Sequence, residues 1–239
     1  AHYDIQYDCD DEFGRELGKH LEAILVEYQR RFPMDPGGLS DGFTVKVFRK
    51  KDAFESYAAA NGVTNAAAYF SPSQNELVCY KTVDEGRKKT FHILYHEASH
   101  QYLHLYMGGD VAIPIWLNEG VAEYFYGGEF GSDGRLKIEE NRERILEIKE
   151  AIRQKRHVPL ERIFQYTQEQ YYADAQLCYA EGWSLAYFLW HTKDARFKGL
   201  IDRFYDALKT GRDAQAAFAA TFGKVDVGAM EEAWKKFVL

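Results

Sequence analysis

The stretch FHILYHEASHQYLHLYMGG, Phe91–Gly109, carries four histidines at intervals of four residues: His92, His96, His100 and His104. Residues four apart lie on nearly the same face of an α-helix, so two adjacent imidazoles of this series could grip one cation from a single rigid element. Only His96 is followed directly by a carboxylate, that of Glu97. The stretch therefore predicts a helix, and it favours HEASH as the metal-binding register.

The HEASH register has a chemical logic that depends on the position of its glutamate. His96 and His100 would hold Zn²⁺, whereas Glu97 would lie beside the metal, where it can take a proton from water and pass it to a leaving amine. His92 and His104 stand one turn before and one turn beyond this pair, and we expect them to pack or to support the site rather than to bind metal.

A catalytic zinc site needs a third protein ligand and one open position. The segment WLNEGVAEYF offers Glu119, which follows His100 after eighteen intervening residues. Two glycines and a proline in between would let the chain turn back as a second, antiparallel helix. Glu123 lies one turn beyond Glu119, where a carboxylate could orient a ligand histidine through its other ring nitrogen.

The motif HExxH, eighteen residues and then Glu119 within Asn118-Glu119-Gly120 resembles the gluzincin class of zinc metallopeptidases, the peptidase MA-like group. The chain as a whole resembles short bacterial peptidase MA-like domains. The resemblance is highly specific between residues 96 and 123 and weak elsewhere. It implies hydrolysis of peptide bonds by zinc-activated water, with a peptide or protein as the substrate.

The resemblance also implies a role for each matching residue. His96, His100 and Glu119 match the ligands of one zinc ion, and Glu97 matches the general base. Glu123 takes the acidic position that supports the ligands from behind.

A gluzincin also uses a tyrosine or histidine further along the chain to stabilise the oxyanion. The candidate here is Tyr179 in CYAEGW, with Tyr171 and Tyr172 as rivals.

One departure from the aminopeptidase gluzincins concerns substrate choice. They carry a Gly-x-Met-Glu-Asn strand before the zinc helix, and nothing before His96 matches it; GAMEE at Gly228–Glu232 comes too late, inside a predicted C-terminal helix. The sequence thus favours endopeptidase action at least as strongly as aminopeptidase action. NELVCY, before the zinc helix, could be a sheet edge that pairs with an extended substrate.

Composition and charge limit the partners. The net charge of −7 argues against a nucleic-acid partner, which would call for a basic stripe. No run of residues is apolar enough for a membrane span. An exported protein, periplasmic or secreted, is favoured over a cytoplasmic one by the family resemblance alone. The oligomeric state is left open.

Hydrophobic patterning predicts an α+β fold that is mainly helical. We expect a single peptidase MA-like domain over residues 1–239, in which a small sheet lobe, residues 1–85, packs on a helical zincin-type lobe, residues 86–239, with the active site between them. The zinc helix is predicted to begin near Asp84, and one long helical segment is predicted over residues 167–192.

Two other functions remain open beside the peptidase. One is a zinc-binding module of the same fold without turnover. The other is a non-peptidase zinc amidase, for example one acting on cell-wall peptides.

Overall fold

The structure is a computed structural model that describes residues 2–35, 42–64, 66–81, 86–109 and 111–239. Helices dominate, and a small sheet lies near the amino terminus, so the predicted mainly helical α+β class is confirmed. The predicted helix start at Asp84 and Glu85 lies outside the described residues. Within the described chain, none of the helices has the length and apolar character needed to cross a lipid bilayer.

A four-stranded mixed sheet has the order β1-β2-β4-β3, with these bounds: β1 Tyr3–Tyr7, β2 Phe43–Phe48, β3 Ala68–Ser71 and β4 Glu76–Tyr80. β2 runs parallel to both β1 and β4, and β3 pairs antiparallel with β4 as a hairpin. The prediction that NELVCY forms a sheet edge is wrong, because β4 has a neighbour on each side. The edges of this sheet are β1 and β3.

Three helices accompany the sheet: α1 Asp11–Arg31, α2 Lys51–Ala60 and α3 Gly86–Tyr106. Asp10 caps the start of α1, since its side chain accepts a hydrogen bond from the Phe13 backbone N–H. In β2, Phe43, Val45 and Val47 are buried and alternate with less buried side chains, as a strand packed mainly on one face requires.

Helix α3 is fixed to its neighbours by side-chain hydrogen bonds to backbone carbonyls. The Tyr28 hydroxyl donates to the Tyr95 carbonyl oxygen at 2.5 Å. The buried Gln101 amide donates from Nε2 to the carbonyls of Thr44 and Asn75, at 3.3 and 3.0 Å, and lies 3.3 Å from Asn75 Oδ1. These bonds join α3 to α1 and to the sheet, so the backbone next to His96 is firmly held.

The remaining chain adds a short hairpin and eight helices within the described residues: β5 Gly128–Phe130, β6 Leu136–Ile138, α4 Ile115–Tyr126, α5 Arg142–Arg153, α6 Leu160–Ile163, α7 Gln168–Ala173, α8 Ala175–His191, α9 Leu200–Gly211, α10 Ala214–Phe222 and α11 Val227–Val238. The segment GAMEE lies in α11, as predicted.

Backbone packing groups the chain into two compact units. One comprises Ala1–Asp110 and Phe125–Glu139, and it contains the sheet, α1 to α3 and the β5–β6 hairpin. The other comprises Val111–Tyr124 and Glu140–Leu239, in which α8 packs against α5, α7, α9 and α11. The single domain expected from the sequence stays a prediction.

The long helical segment predicted over residues 167–192 is interrupted. α7 ends at Ala173 and α8 begins at Ala175, because Asp174 leaves helical geometry with φ −132° and ψ 60°. α7 begins with a capping box, in which the side chains of Thr167 and Gln170 each bond the other's backbone N–H. The break sets the tyrosines of α7 and α8 on separate axes.

Candidate metal centre

The histidine pair of α3 has the spacing of a metal-binding pair. His96 Nε2 and His100 Nε2 lie 3.3 Å apart, and the two rings are inclined at 78°. Two nitrogens on a tetrahedral zinc, with bonds of about 2.05 Å, would be about 3.3 Å apart. His96 is only 8% exposed, so one edge of a tetrahedral site is already formed in a sheltered place.

Glu119 completes a candidate three-residue metal group. One ligand atom from each of His96, His100 and Glu119 lies within 4.8 Å of the other two, and Glu119 is buried. Across the part of the chain that the structure describes, this is the one such group of histidine, cysteine, aspartate and glutamate side chains. Two imidazole nitrogens and a carboxylate oxygen are a donor set that zinc accepts, so these residues could bind a metal ion.

Glu97 follows His96 on α3 and is half-buried. Its charge acts on two nearby groups whose pKa values are raised mainly by burial, the thiol of Cys79 and the hydroxyl of Tyr28. The carboxylate therefore lies within electrostatic reach of β4 and α1. Its role as general base stays a prediction.

The carboxylate of Glu119 accepts a hydrogen bond from a tyrosine of α7. The Tyr172 hydroxyl donates to Glu119 Oε1 at 2.8 Å. Tyr172 is 40% exposed, whereas Glu119 is 5% exposed, so the bond reaches from a partly solvated ring to a sheltered carboxylate. From the sequence, Tyr172 is only a rival of Tyr179, and no motif predicts its bond to Glu119.

Glu123 forms a buried ion pair. Arg144 Nε on α5 donates to Glu123 Oε2 at 2.7 Å, and the glutamate side chain is 5% exposed. Burial lowers the pKa of the Arg144 guanidinium, but the charge and hydrogen bond of Glu123, with help from Glu147, outweigh that effect and raise it. The orientation of a ligand histidine by Glu123 stays a prediction.

The three tyrosines considered for the oxyanion occupy different positions. The Tyr171 hydroxyl is buried and donates to the Cys178 carbonyl oxygen at 2.7 Å. The Tyr179 ring lies under the Arg144 guanidinium, 5.3 Å from centroid to carbon, and 6.3 Å from the Tyr172 ring. The Tyr172 hydroxyl thus lies on a candidate ligand, and the Tyr171 hydroxyl lies on a backbone carbonyl.

Residues 91–208 match a protein family described as a protein of unknown function, DUF1570. The match covers just under half of the chain. No curated protein matches the sequence.

The matched region contains the three candidate ligands and the other side chains described above: His96, Glu97, His100, Glu119, Glu123, Arg144, Tyr172 and Tyr179. The family description states no activity. Similarity to DUF1570 is therefore compatible with a shared metal site, but it assigns no reaction to that site.

The outer histidines of α3 lie in aromatic surroundings. His92 Nε2 is 3.4 Å from Glu129 Oε1, and its ring meets Tyr126 edge-on. The His104 ring packs against Phe70. Close to His92, burial first and the His92 charge second lower the pKa of His20 to about 4, so His20 is neutral near pH 7.

Arg144 is the residue that sequence reasoning missed. It stands 21 residues after Glu123, in a strongly charged helix whose pattern suggests a solvated face. No short sequence motif links Arg144 to its partner Glu123. A buried acid such as Glu123 needs a counter-charge, and this requirement was the available signal.

Proposed function

We propose that this protein is a zinc-dependent metallopeptidase. The observation that carries the proposal is the group formed by His96, His100 and Glu119, whose ligand atoms lie within 4.8 Å of one another, with Glu97 directly after the first histidine. The 3.3 Å separation of the histidine nitrogens adds support, since it fits a tetrahedral zinc edge.

In this proposal the chain binds the metal ion and transfers a proton beside it. When bound, zinc would polarise a substrate carbonyl and make water more acidic. His96, His100 and Glu119 bind and orient that ion. Glu97 takes a proton at its carboxylate and delivers it to the amine that leaves, as a general base and then a general acid.

Stabilisation of the oxyanion is assigned to a tyrosine hydroxyl, for which Tyr179 is the sequence-based choice. Tyr171 is the least suited, because its hydroxyl is already committed to a buried carbonyl. Tyr172 competes with Tyr179 on geometry, since its hydroxyl is adjacent to Glu119. Single changes to phenylalanine at each position would show which hydroxyl supports kcat.

An extended substrate would pair with β3 rather than with β4. β4 is internal, whereas β3 is an edge strand that packs beside α3. Unpaired backbone groups along an edge can add a peptide as a further strand. Backbone pairing of this kind does not require a free amino terminus, so it favours endopeptidase action.

The test is Glu97→Gln, a near-isosteric change that removes the base and leaves the three proposed ligands in place. Purified wild-type protein loaded with one zinc equivalent should cleave members of a fluorogenic peptide library. Glu97→Gln should keep its zinc and lose at least about 100-fold in kcat/KM, the contribution expected of a general base. Glu143→Gln, the same change at an exposed position of α5, is the matched control.

Two results would replace the peptidase proposal with another function. Stoichiometric zinc without cleavage of any library peptide would favour the zinc-binding module. Cleavage of cell-wall peptide amides in place of ordinary peptides would favour the amidase. Equal activity of wild type and Glu97→Gln would overturn the role of Glu97.

A further inference from the structure

The two acidic residues of α4 are each held by a partner from another helix. Glu119 and Glu123 are four residues apart on α4, where two like charges on neighbouring turns disfavour the helix. Tyr172 donates to Glu119, and Arg144 pairs with Glu123. These two partners differ in charge, because the Tyr172 hydroxyl is neutral and the Arg144 guanidinium is a cation.

This difference separates the chemical roles of the two carboxylates. Glu123, paired with a guanidinium at 2.7 Å, has its charge compensated by the protein itself. Glu119 accepts a hydrogen bond from the neutral hydroxyl of Tyr172, and this bond brings no positive charge to the carboxylate. The Tyr172 bond is made to one oxygen of the carboxylate, Oε1, and a carboxylate has two oxygens that can accept hydrogen bonds or bind an ion.

Tyr172 is itself held in place. Its ring lies 5.9 Å from Tyr171 and 6.3 Å from Tyr179. The capping box of Thr167 and Gln170 fixes the start of the short helix that carries it. A donor with two side-chain torsions, packed between other rings, costs little entropy to keep in position.

Glu119, in contrast, has a flexible side chain that loses freedom when it binds a metal. A hydrogen bond that already fixes its carboxylate reduces that loss at the moment of binding. Partners that orient ligands in this way are typically worth 10- to 100-fold in metal affinity.

We propose that Tyr172 is a positioning residue for the metal ligand Glu119, which it orients by donating its hydroxyl to Oε1. The inference rests on the proposed zinc site, and it does not require peptidase activity. Tyr172 acts on the metal through Glu119, and it raises the affinity of the site for zinc whether or not a substrate is bound.

The test measures zinc affinity by competition with a chromogenic chelator for the wild type and Tyr172→Phe. Tyr171→Phe is the matched control: it removes the hydroxyl of the adjacent residue, which bonds a backbone carbonyl instead. We expect Tyr172→Phe to weaken zinc binding about tenfold and Tyr171→Phe to change it less than about twofold. The visible spectrum of the Co²⁺-substituted protein should also change in Tyr172→Phe, because it reports the geometry of the ligands.

Each outcome has one meaning. Unchanged zinc affinity and an unchanged cobalt spectrum in Tyr172→Phe, with tight binding by the wild type, would overturn the positioning role and leave the proposed function standing. Equal weakening in both tyrosine variants would also overturn it, since the effect would then be a general loss of packing. A wild type that binds no zinc would refute both proposals.

Discussion

Gly120 on α4 and Gly182 on α8 are in close backbone contact: a Cβ atom on Gly120 would stand 2.4 Å from the Gly182 carbonyl oxygen. A Cβ atom on Gly182 would in turn lie 2.6 Å from the Tyr171 hydroxyl and 3.0 Å from the Trp116 carbonyl oxygen. Because Gly120 follows Glu119 directly, this crossing of two helices sets the position of the candidate ligand. The glycines of NEG and AEGW are therefore steric requirements.

The first prediction concerns Gly120→Ala. The added methyl group meets backbone rather than a flexible side chain, so we expect α4 to shift and the protein to lose about 1–3 kcal/mol of unfolding free energy. Urea denaturation measures the loss, and zinc affinity should fall with it. Gly211→Ala is the control, because a Cβ atom there meets nothing within 4 Å. Equal stability of the Gly120 variant and wild type would show that α4 and α8 can separate without cost.

The second prediction concerns the stabilisation of the fold by zinc. If the native state alone binds the ion, free zinc at 100 times its dissociation constant should raise the unfolding free energy by about 2.7 kcal/mol. Glu119→Ala should lose most of this increment, because two histidines remain from the group of three. Thermal denaturation with and without a chelator checks both statements. A full increment in the variant would contradict the assignment of Glu119 as a ligand.

The third prediction concerns the buried ion pair of Arg144 and Glu123. Arg144→Leu leaves a carboxylate buried without its counter-charge, so we expect a loss of about 3 kcal/mol in unfolding free energy. The double change Arg144→Leu with Glu123→Leu should recover much of the loss, since the buried carboxylate is then gone as well. Chemical denaturation of both variants tests this.

Arg142→Leu, an exposed position on the same helix, controls for the change in net charge. If the double variant were no more stable than the single one, the cost would come from lost packing of the arginine, and the electrostatic explanation would be wrong.

The fourth prediction concerns Glu181, a fully buried glutamate of α8. Its Oε2 accepts a hydrogen bond from the Val158 backbone N–H, and Oε1 has no partner among the described residues. Burial, with help from the charge of Glu231, raises the pKa of this carboxyl to about 8, although the Val158 hydrogen bond and the charge of Lys235 both lower it. The group therefore keeps its proton in the native state at pH values where an ordinary glutamate has lost it.

The sign of the pH dependence follows from this shift. Between the ordinary pKa of 4.5 and about 8, the native state binds more protons at this site than the unfolded chain. The stability that Glu181 contributes is present below pH 4.5 and is lost as pH rises towards 8, by at most about 1.4 kcal/mol per pH unit.

Glu181→Gln should remove this slope, so its stability relative to wild type should grow with pH over the same range. Urea titrations at several pH values between 5 and 8 make the comparison, with Glu143→Gln as the exposed control. A difference that stays constant with pH would mean that Glu181 ionises normally.

Local features of the fold were predictable from the sequence, because each depends on chemistry a few residues wide. The Asp10 cap of α1 and the β3–β4 hairpin are examples. The position of β4 inside the sheet was not predictable, since its second neighbour β2 lies far away in sequence. The break at Asp174 was missed because its apolar surroundings continue a helical pattern on both sides.

The residues of the candidate site also differ in whether local sequence or long-range packing determines their positions. Helical periodicity together with the carboxylate after His96 could select His96, Glu97 and His100 from the four histidines. The need for a third ligand could point to Glu119 in the next predicted helix. Which tyrosine would reach Glu119 depends on how α4, α7 and α8 pack. The sequence alone does not distinguish the hydroxyls of Tyr171, Tyr172 and Tyr179. Only the folded structure shows that the Tyr172 hydroxyl bonds Glu119 and that the Tyr171 hydroxyl bonds the Cys178 carbonyl oxygen.

The hydrogen bonds of the Gln101 amide determine which residues of the β3–β4 turn can be replaced. It bonds Asn75 at two atoms and Thr44 at one, and Asn75 sits in left-handed backbone geometry with φ +48°, which asparagine tolerates well. Pro72 and Ser73 take no part in the bonds of Gln101, so an epitope or a label grafted there would leave those bonds in place. A replacement of Asn75 would remove the Oδ1 contact and strain the left-handed backbone, while the bond from Gln101 to the backbone carbonyl at this position would remain.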